Sequence, residues 1–490
     1  MPGDAGPLYS GQDAAGDKGL NERRGQAGRE GKKSMKNIIS KIDELARYHN
    51  EVSPELVKAK DIKLGLRNPD GTGVVAGITS KGLVLGYERI PRKDGSGGYD
   101  VKPIPGRLLY CGYDAIELAR QIQKEDRFGF EEIAYLLLTG ELPCPDDLDT
   151  FCDTVAKKRA LTRIERGILL QEAQNDNQMF ALHAVVSHLS RCDPDPVSIE
   201  IEDVIDTCIS LIAKMPTVVA YNYKAARYRK GDDLVMLRPD PKMSTAENFL
   251  YMLRGEKPTR DEALLFDLAL MLHAEHGGGN NSTFAVRTVS SSGANTYMAI
   301  CSGIASLSGH LHGGANEAVM MMVQSIKKNV QNWESRTQVR AYLEKILDRK
   351  AHDKAGKIYG MGHAVYTLSD PRCDILKEKA LQIATKKEQI QELELMDLVA
   401  EIACELIRER KGQIVAPNVD YYSGFVYKVL GIPIDLFTPI FAMSRVVGWS
   451  AHRIEQIIQA KLIRPAYVNS LPREYVYVPL GERRPGEGPR

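Results

Sequence analysis

The chain has no C-x-x-C pair and no Cys/His cluster with zinc spacing; its eight cysteines (111, 144, 152, 192, 208, 301, 373 and 404) are scattered. That usage excludes a zinc ribbon or a disulfide scaffold and implies reduced thiols in a cytosol-like compartment. Net charge is lacking as well. Lys+Arg 65 against Asp+Glu 64 leaves +1, which removes the electrostatic case for a nucleic-acid binder or a polybasic membrane protein. The longest apolar run, 264–274 (LLFDLALMLHA), is broken by Asp267 and is too short to span a bilayer. No secretory h-region follows Met1, so the expectation is a cytoplasmic protein with neither membrane nor nucleic-acid partner. What is present is length and apolar mass: 490 residues, 43% hydrophobic, enough for a large core and about three domains' worth of chain.

Residues 1–34 hold eight glycines, many charges and no apolar periodicity. Such a segment cannot bury enough surface to offset its ordering entropy and is expected to be a disordered leader, with the organised chain starting near Met35. Between about 70 and 115, short β-branched runs alternate with Gly, Asn-Pro and Asp-Gly turn signals, which predicts a few short strands and hairpins. Beyond 113 the periodicity is helical. FEEIAYLLLTGELP predicts a helix stopped at Gly140 and Pro143, and the pattern over 375–406 predicts one long amphipathic helix closed by Gly412. No repeat of 20–50 residues occurs. The fold class is mainly α, with a small β element near the N-terminus.

Six of the ten histidines (273, 276, 310, 312, 352, 363) fall between 273 and 363, and three Gly-flanked windows hold the informative ones. These are LHAEHGGGNNSTFAVR (272–287), SGHLHGGANEAV (308–319) and YGMGHAVYTLSDPR (359–372). In the first two, a Gly-rich turn precedes N-capping residues, a device that aims unpaired N–H groups at an anion. Gly313 and Gly314 allow close backbone approach to a ligand, and Arg372 is a permanently charged planar donor for a carboxylate or phosphate. A single such window is more often a turn with a structural His; three within about ninety residues are harder to explain that way. His273 and His276, at i and i+3, could hold a metal, yet no H-E-x-x-H motif supports one, and no metal is expected. Further on, PNVDYYSG (417–424) offers Asp420 as a carboxylate of raised pKa or an ordinary cap, Arg445 follows an apolar run and needs a partner, and Arg464 precedes Pro465. Residue types and spacing alone reach an anion-binding acid–base enzyme using His and Asp.

Taken in order, HAEHGGGNNSTF, SSSGANTYMAI, LSGHLHGGANEAV, YGMGHAVYTLSDPR, PNVDYYSG, FAMSRVVGWSAH and IRP resemble the citrate synthase family, over roughly 110–467. The resemblance implies a two-domain helical fold. Residues 35–313 and 432–490 would form a large, dimer-forming domain, and 314–431 a small domain closing over the active site, with Gly-rich hinges near 313–314 and 424–431. It implies condensation of acetyl-CoA with oxaloacetate and water to citrate and CoA, with no cofactor. His312 would bond the thioester oxygen, Asp420 would remove the methyl proton, and His363 would polarise and protonate the ketone of oxaloacetate. His276, Arg372, Arg445 and Arg464 would bind oxaloacetate, Arg464 being supplied by the neighbouring subunit of a homodimer, which could assemble further. Lys357, Ile358, Gly360, Gly362 and Asn418 match segments that contact coenzyme A. Two residues depart from the common pattern: His310 stands where many relatives have proline, with an expected influence on the ionisation of His312, and Ala364 stands where many have arginine. A 2-methylcitrate synthase using propionyl-CoA shares every motif, since its pocket needs one methylene more room, worth about 1–3 kcal/mol. From other classes, an acyl-CoA-binding regulator without activity and a His-metal hydrolase stay open.

Overall fold

The computed structural model describes residues 38–93, 98–173, 175–384, 387–471 and 474–484; the expected leader lies outside them. Its chain forms two compact units, Thr72–Pro465 and a second made of the residues up to Gly71 with Ala466–Arg490. In the second unit a helix covers 38–49, and Pro54–Ala59 follows with the Ser53 hydroxyl accepting the Leu56 N–H.

The larger unit opens with a three-stranded antiparallel sheet in the order β1 (Gly82–Pro91), β2 (Tyr99–Tyr110), β3 (Tyr113–Asp114). The turn signals predicted short strands; instead β1 and β2 make one long hairpin, paired from Gly82↔Tyr110 to Pro91↔Tyr99 with an irregularity between Leu85 and Tyr87. Gly86, at the irregularity, and Gly106 lie inside the strands, where the 365–369 loop presses on the sheet.

Among the described residues every element after it is a helix, apart from an isolated β-bridge between Met361 and Pro417. Phe130–Thr139 ends on Gly140 at φ 95°, the left-handed stop its sequence signals. Its N-terminus has no local cap. The carboxylate of Asp267, from the Arg260–His273 helix, accepts the Gly129 N–H at 2.7 Å and the Phe130 N–H at 3.3 Å. Asp267 is therefore a remote cap as well as a break in an apolar run; burial, with Glu131 nearby, pushes its carboxyl up to about 8. Among the described residues one helix, Ile201–Arg229, is long and apolar enough to cross a membrane, but two thirds of that apolar window is buried inside the protein. It packs along Phe437–Gln459, whose Trp449 is fully buried.

The single long helix predicted over 375–406 is two. Pro371–Ile383 ends where Ala384 turns to extended backbone (ψ 99°), and Lys387–Lys411 begins a new axis before Gly412. The first packs on Val419–Val429 and the second on Arg336–Leu347, so a straight helix could not serve both partners. Amphipathic periodicity is blind to that change of direction.

Candidate active site

Five segments of the larger unit meet at one place, each beside a helix end or inside a buried helix. His276 lies in the loop between Arg260–His273 and Asn281–Ser291; His312 precedes Ala315–Asn329; His363 precedes Pro371–Ile383. Asp420 is in the first turn of Val419–Val429, and Arg445 is fully buried within Phe437–Gln459.

Hydrogen bonds fix the proton positions on two of the three rings. The Ser282 backbone N–H, at the start of its helix, donates to His312 Nε2 at 3.2 Å, so a neutral His312 carries its proton on Nδ1. Burial, aided by Arg445, pushes its pKa down to about 4, which keeps the ring neutral at pH 7. His363 has the opposite tautomer. Its Nδ1 accepts the N–H groups of Val365 (3.0 Å) and Tyr366 (3.1 Å), placing the proton on Nε2. Its ring stacks on Tyr366 at 4.7 Å and meets His276 edge-on at 5.0 Å. His276 is buried with Nε2 unpartnered; burial, with Arg372, His363, Arg445 and His312, holds its pKa well below the usual imidazole value.

The two nearby arginines differ. Arg372 is buried and neutralised: Asp370 accepts its Nε at 2.9 Å and a terminal nitrogen at 2.7 Å, and the same carboxylate accepts the Val419 N–H at 3.0 Å. Asp370 thereby ties the start of the 371–383 helix to the turn bearing Asp420. Arg445 gives Nε to the His273 carbonyl at 2.6 Å and lies over Phe441, but one terminal nitrogen has no partner. Burial, with Arg372 adding to it, brings its pKa down to about 10. A buried cation with an idle donor beside an idle imidazole nitrogen is a place for an anion.

Asp420 faces a small cavity lined by Leu307, His312, Gly313, Gly314, Asn316, Thr438 and Phe441. Burial and Asp370 push its carboxyl up to about 6 against the pull of Arg372 and Arg445. One wall of the cavity thus holds a near-neutral base and another a neutral imidazole with its proton on Nδ1. Among the described residues no three His, Cys, Asp or Glu side chains form a metal cluster.

A family model described as "Citrate synthase, C-terminal domain" matches residues 81–466. The citrate synthase of Haloferax volcanii is 40% identical over 77% of this chain and 93% of its own length. The chain belongs to the citrate synthase family. It is accordingly an enzyme of the acyltransferase type. The 2-methylcitrate synthase 1 of Corynebacterium glutamicum is 33% identical over 78% of this chain and 94% of its own. The citrate synthase of Thermoplasma acidophilum, solved as a ternary complex with carboxymethyl coenzyme A and oxaloacetate, superposes with TM-score 0.69 at 27% identity, covering 86% of this chain and 99% of that one.

Of the residues singled out from the family pattern, His276, His312, His363, Arg372, Asp420 and Arg445 gather at this site. Arg464 does not: it is exposed, in the segment after the Phe437–Gln459 helix, where the Ile463 N–H bonds Ser291. The segment matched to coenzyme A divides. Lys357 is exposed, whereas Ile358 packs in the core and Gly360 (φ 75°) presses on Tyr421 and Val319. Asn418 spends its side chain on the protein, accepting the Asp420 N–H at 3.1 Å and donating to the Gly362 carbonyl at 2.9 Å. The expected influence of His310 on His312 is not found: His310 is exposed, and burial and Arg445 account for the shift at His312.

Four residues of this family site escape a search by motif. Asp370 looks like a turn residue, and its role as a hub appears only when Val419 folds beside it. Glu275 and His452 form a fully buried pair at 2.9 Å, 177 positions apart in sequence. Tyr366 is the plate under His363. The buried settings of Glu275 and His452 follow from no local signal, although an acid inside HAEHGG was the one available hint.

Proposed function

We propose that the chain condenses acetyl-CoA with oxaloacetate and water to give citrate and CoA. The carrying observation is one cavity where a carboxylate with its pKa near 6 faces an imidazole held neutral with Nδ1 protonated, beside the unpartnered His276 Nε2 and an unpartnered terminal nitrogen of Arg445.

The dicarboxylate takes the unpaired terminal nitrogen of Arg445 and the open Nε2 of His276, with Arg372, already paired to Asp370, adding its charge from behind Tyr366 and Arg464 of the partner subunit completing the clamp in a homodimer. Acetyl-CoA brings its thioester to the Asp420 cavity. An ordinary carboxylate, pKa about 3.9, is a weak base toward a thioester methyl, so raising Asp420 to about 6 makes it about a hundredfold stronger. As Asp420 takes the proton, negative charge develops on the thioester oxygen, and His312 Nδ1–H donates to it. A neutral donor suits this step because, unlike an imidazolium, it does not require a charged ring to be buried beside Arg445. The enol carbon then attacks the ketone of oxaloacetate, and His363 Nε2–H delivers a proton to the ketone oxygen. Water hydrolyses the resulting thioester, releasing CoA. The residues supply the acid–base work and the thioester supplies the activation, so no cofactor is called for.

The cavity holds only about 20 Å³, roughly one water. Acyl entry therefore needs the walls to part, in keeping with a small domain, 314–431, moving against the rest of the larger unit. Gly314 (φ 76°) and Gly431 (φ 67°) sit at its two ends. The reading is tested by CoA release with oxaloacetate and each thioester. A higher kcat/KM for acetyl-CoA supports it, equal or better use of propionyl-CoA moves the chain to 2-methylcitrate synthesis, and silence with both would leave a CoA-binding regulator. The cytoplasm is the compartment this substrate set and the unpaired cysteines suit.

A further inference from the structure

The long β1–β2 hairpin touches one loop of the site, residues 365–369, at two positions where it has no side chain. A methyl group at Gly106 would come within 2.2 Å of the Ser369 carbonyl oxygen and 2.7 Å of the Tyr366 ring. One at Gly86 would lie 2.3 Å from the Val365 carbonyl oxygen. Neither glycine has a left-handed φ, so each is required by close approach and not by backbone conformation. Hydrogen bonds cross the same seam: the Gly106 N–H donates to Ser369 Oγ at 3.1 Å, Thr367 Oγ1 to the Gly86 carbonyl at 3.4 Å, and the Tyr366 hydroxyl to the Arg107 carbonyl at 3.4 Å. The side chain most firmly held this way is Tyr366, which is almost wholly buried. Its ring stacks on His363 at 4.7 Å, meets His276 edge-on at 5.5 Å and lies 5.7 Å from the Arg372 guanidinium. One aromatic plate therefore touches three proposed oxaloacetate-facing groups and rests on the sheet.

We propose that Tyr366, seated by Gly106 and Gly86 of the hairpin, is a positioning residue that sets where His363, His276 and Arg372 stand around the ketone of oxaloacetate. The inference rests on the condensation reading above. It ties the hairpin to the chemistry, because the seam sets the reach of His363 Nε2, whose misplacement by about 1 Å would cost on the order of a hundredfold in rate. The ring, and not the hydroxyl, does this, because the three contacts are with the ring and the hydroxyl bond is long.

The test compares full-length wild type, Tyr366→Ala, Tyr366→Phe and Gly106→Ala in citrate formation, together with the infrared carbonyl stretch of bound oxaloacetate labelled at the ketone. Tyr366→Ala is expected to lower kcat about 10- to 100-fold, with the KM for acetyl-CoA within about threefold and the ketone stretch shifted back toward its value in water. Tyr366→Phe should restore both readouts to within about threefold of wild type, which a merely structural loss would not predict for the carbonyl frequency. Gly106→Ala should reproduce the Tyr366→Ala pattern in weaker form, and Ser369→Ala serves in its place if that variant fails to fold. An active wild type beside a Tyr366→Ala enzyme with unchanged kcat and carbonyl frequency overturns the inference alone. Equal losses in the Phe and Ala variants overturn it too, by assigning the effect to the hydroxyl. A wild type silent with both acyl-CoA substrates overturns the condensation reading and this inference together.

Discussion

The loop 274–282 separates two kinds of buried charge. On one side Glu275 is fully enclosed and its Oε1 is held by the protein, while its Oε2 has no hydrogen-bond partner. Its carboxylate accepts from the Gly277 N–H and from His452, which in turn meets Arg287 and the Glu455 that binds Ser80. Burial would raise the Glu275 pKa, but His452, Arg445 and the Gly277 N–H outweigh it and hold it low. The packing is made for this carboxylate: a methyl at Gly448 would lie 2.2 Å from it. On the other side of the same loop, His276 and Arg445 are also buried, yet Arg445 has an idle donor and His276 an unpartnered Nε2. Buried polar groups ordinarily find partners because an unmade bond costs about 1–3 kcal/mol. The side whose charge is paired inside the protein is architecture, and the side whose arginine keeps an unpaired terminal nitrogen is where a substrate completes the structure. Depth of burial alone would not have told them apart.

The strongest way to break that comparison is at the base. Asp420→Asn should lower kcat by roughly 10²–10⁴-fold, the usual contribution of a general base, while oxaloacetate binding persists. The same change should stabilise the fold. The native pKa of Asp420 lies above the value of about 3.9 for an unfolded aspartate, so keeping it ionised costs stability as pH rises through about 6. At pH 7 the variant is expected to gain about 2–3 kcal/mol over wild type, and the gain should vanish near pH 4. Denaturant titrations at the two pH values decide it; equal stability at both would show that Asp420 ionises without strain.

The two sides of the loop can be set against each other directly. Arg445→Leu should raise the oxaloacetate KM about a hundredfold and leave stability within about 1 kcal/mol, because the removed charge was only partly paired. His452→Leu should do the reverse. It strands Glu275 in the core and should cost about 3–5 kcal/mol, the usual penalty for breaking a buried pair, while a folded fraction retains near-normal oxaloacetate affinity. If both variants lost affinity and stability together, the distinction between architecture and site would fail.

A smaller effect follows from pH. With Asp420 acting as base near pKa 6 and His312 neutral above about 4, kcat should fall roughly tenfold per unit below pH 6 and show no rise or fall owed to His312 between 5 and 8. An acid limb displaced to about pH 4 to 5 would mean that burial does not lift Asp420 in the working enzyme.

Much of this was legible in the residues. Gly140 and Gly412 close the helices they were expected to close, and the Gly-flanked His windows mark three of the five converging segments, because a loop that brings backbone to a ligand needs those residue types. The hairpin reads as several short strands since Gly86 and Gly106, which look like breaks, are answers to one loop 281 and 263 residues away. The 375–406 segment reads as one helix because Ala384 carries no turn signal and the redirection is imposed by two different partners. Asp370, Glu275 and Tyr366 stay hidden for a related reason: their partners Val419, His452 and the sheet are remote in sequence, and pairing over such distances leaves no periodic trace. The acids and bases of this site are readable from local pattern, and the groups that hold them in place are not.

The least effect is expected at His310, where many relatives have proline. It is exposed, while the downward shift of His312 comes from burial and from Arg445. An exposed imidazole is screened by water, and its influence on a buried ring falls steeply with distance. His310 also adds no hydrogen bond to His312 Nε2, which is taken by Ser282. His310→Ala should therefore change kcat, and the midpoint of its acid limb, by less than about twofold, or roughly 0.3 pH unit. Proline at this position would restrict the backbone as well, and so would test two things at once; alanine isolates the side chain. An inflection between pH 5 and 8 owed to His312 in the wild type and lost in His310→Ala would mean that the imidazole reaches His312 in the substrate-bound enzyme, and the satisfied, buried tautomer of His312 would have to be revised.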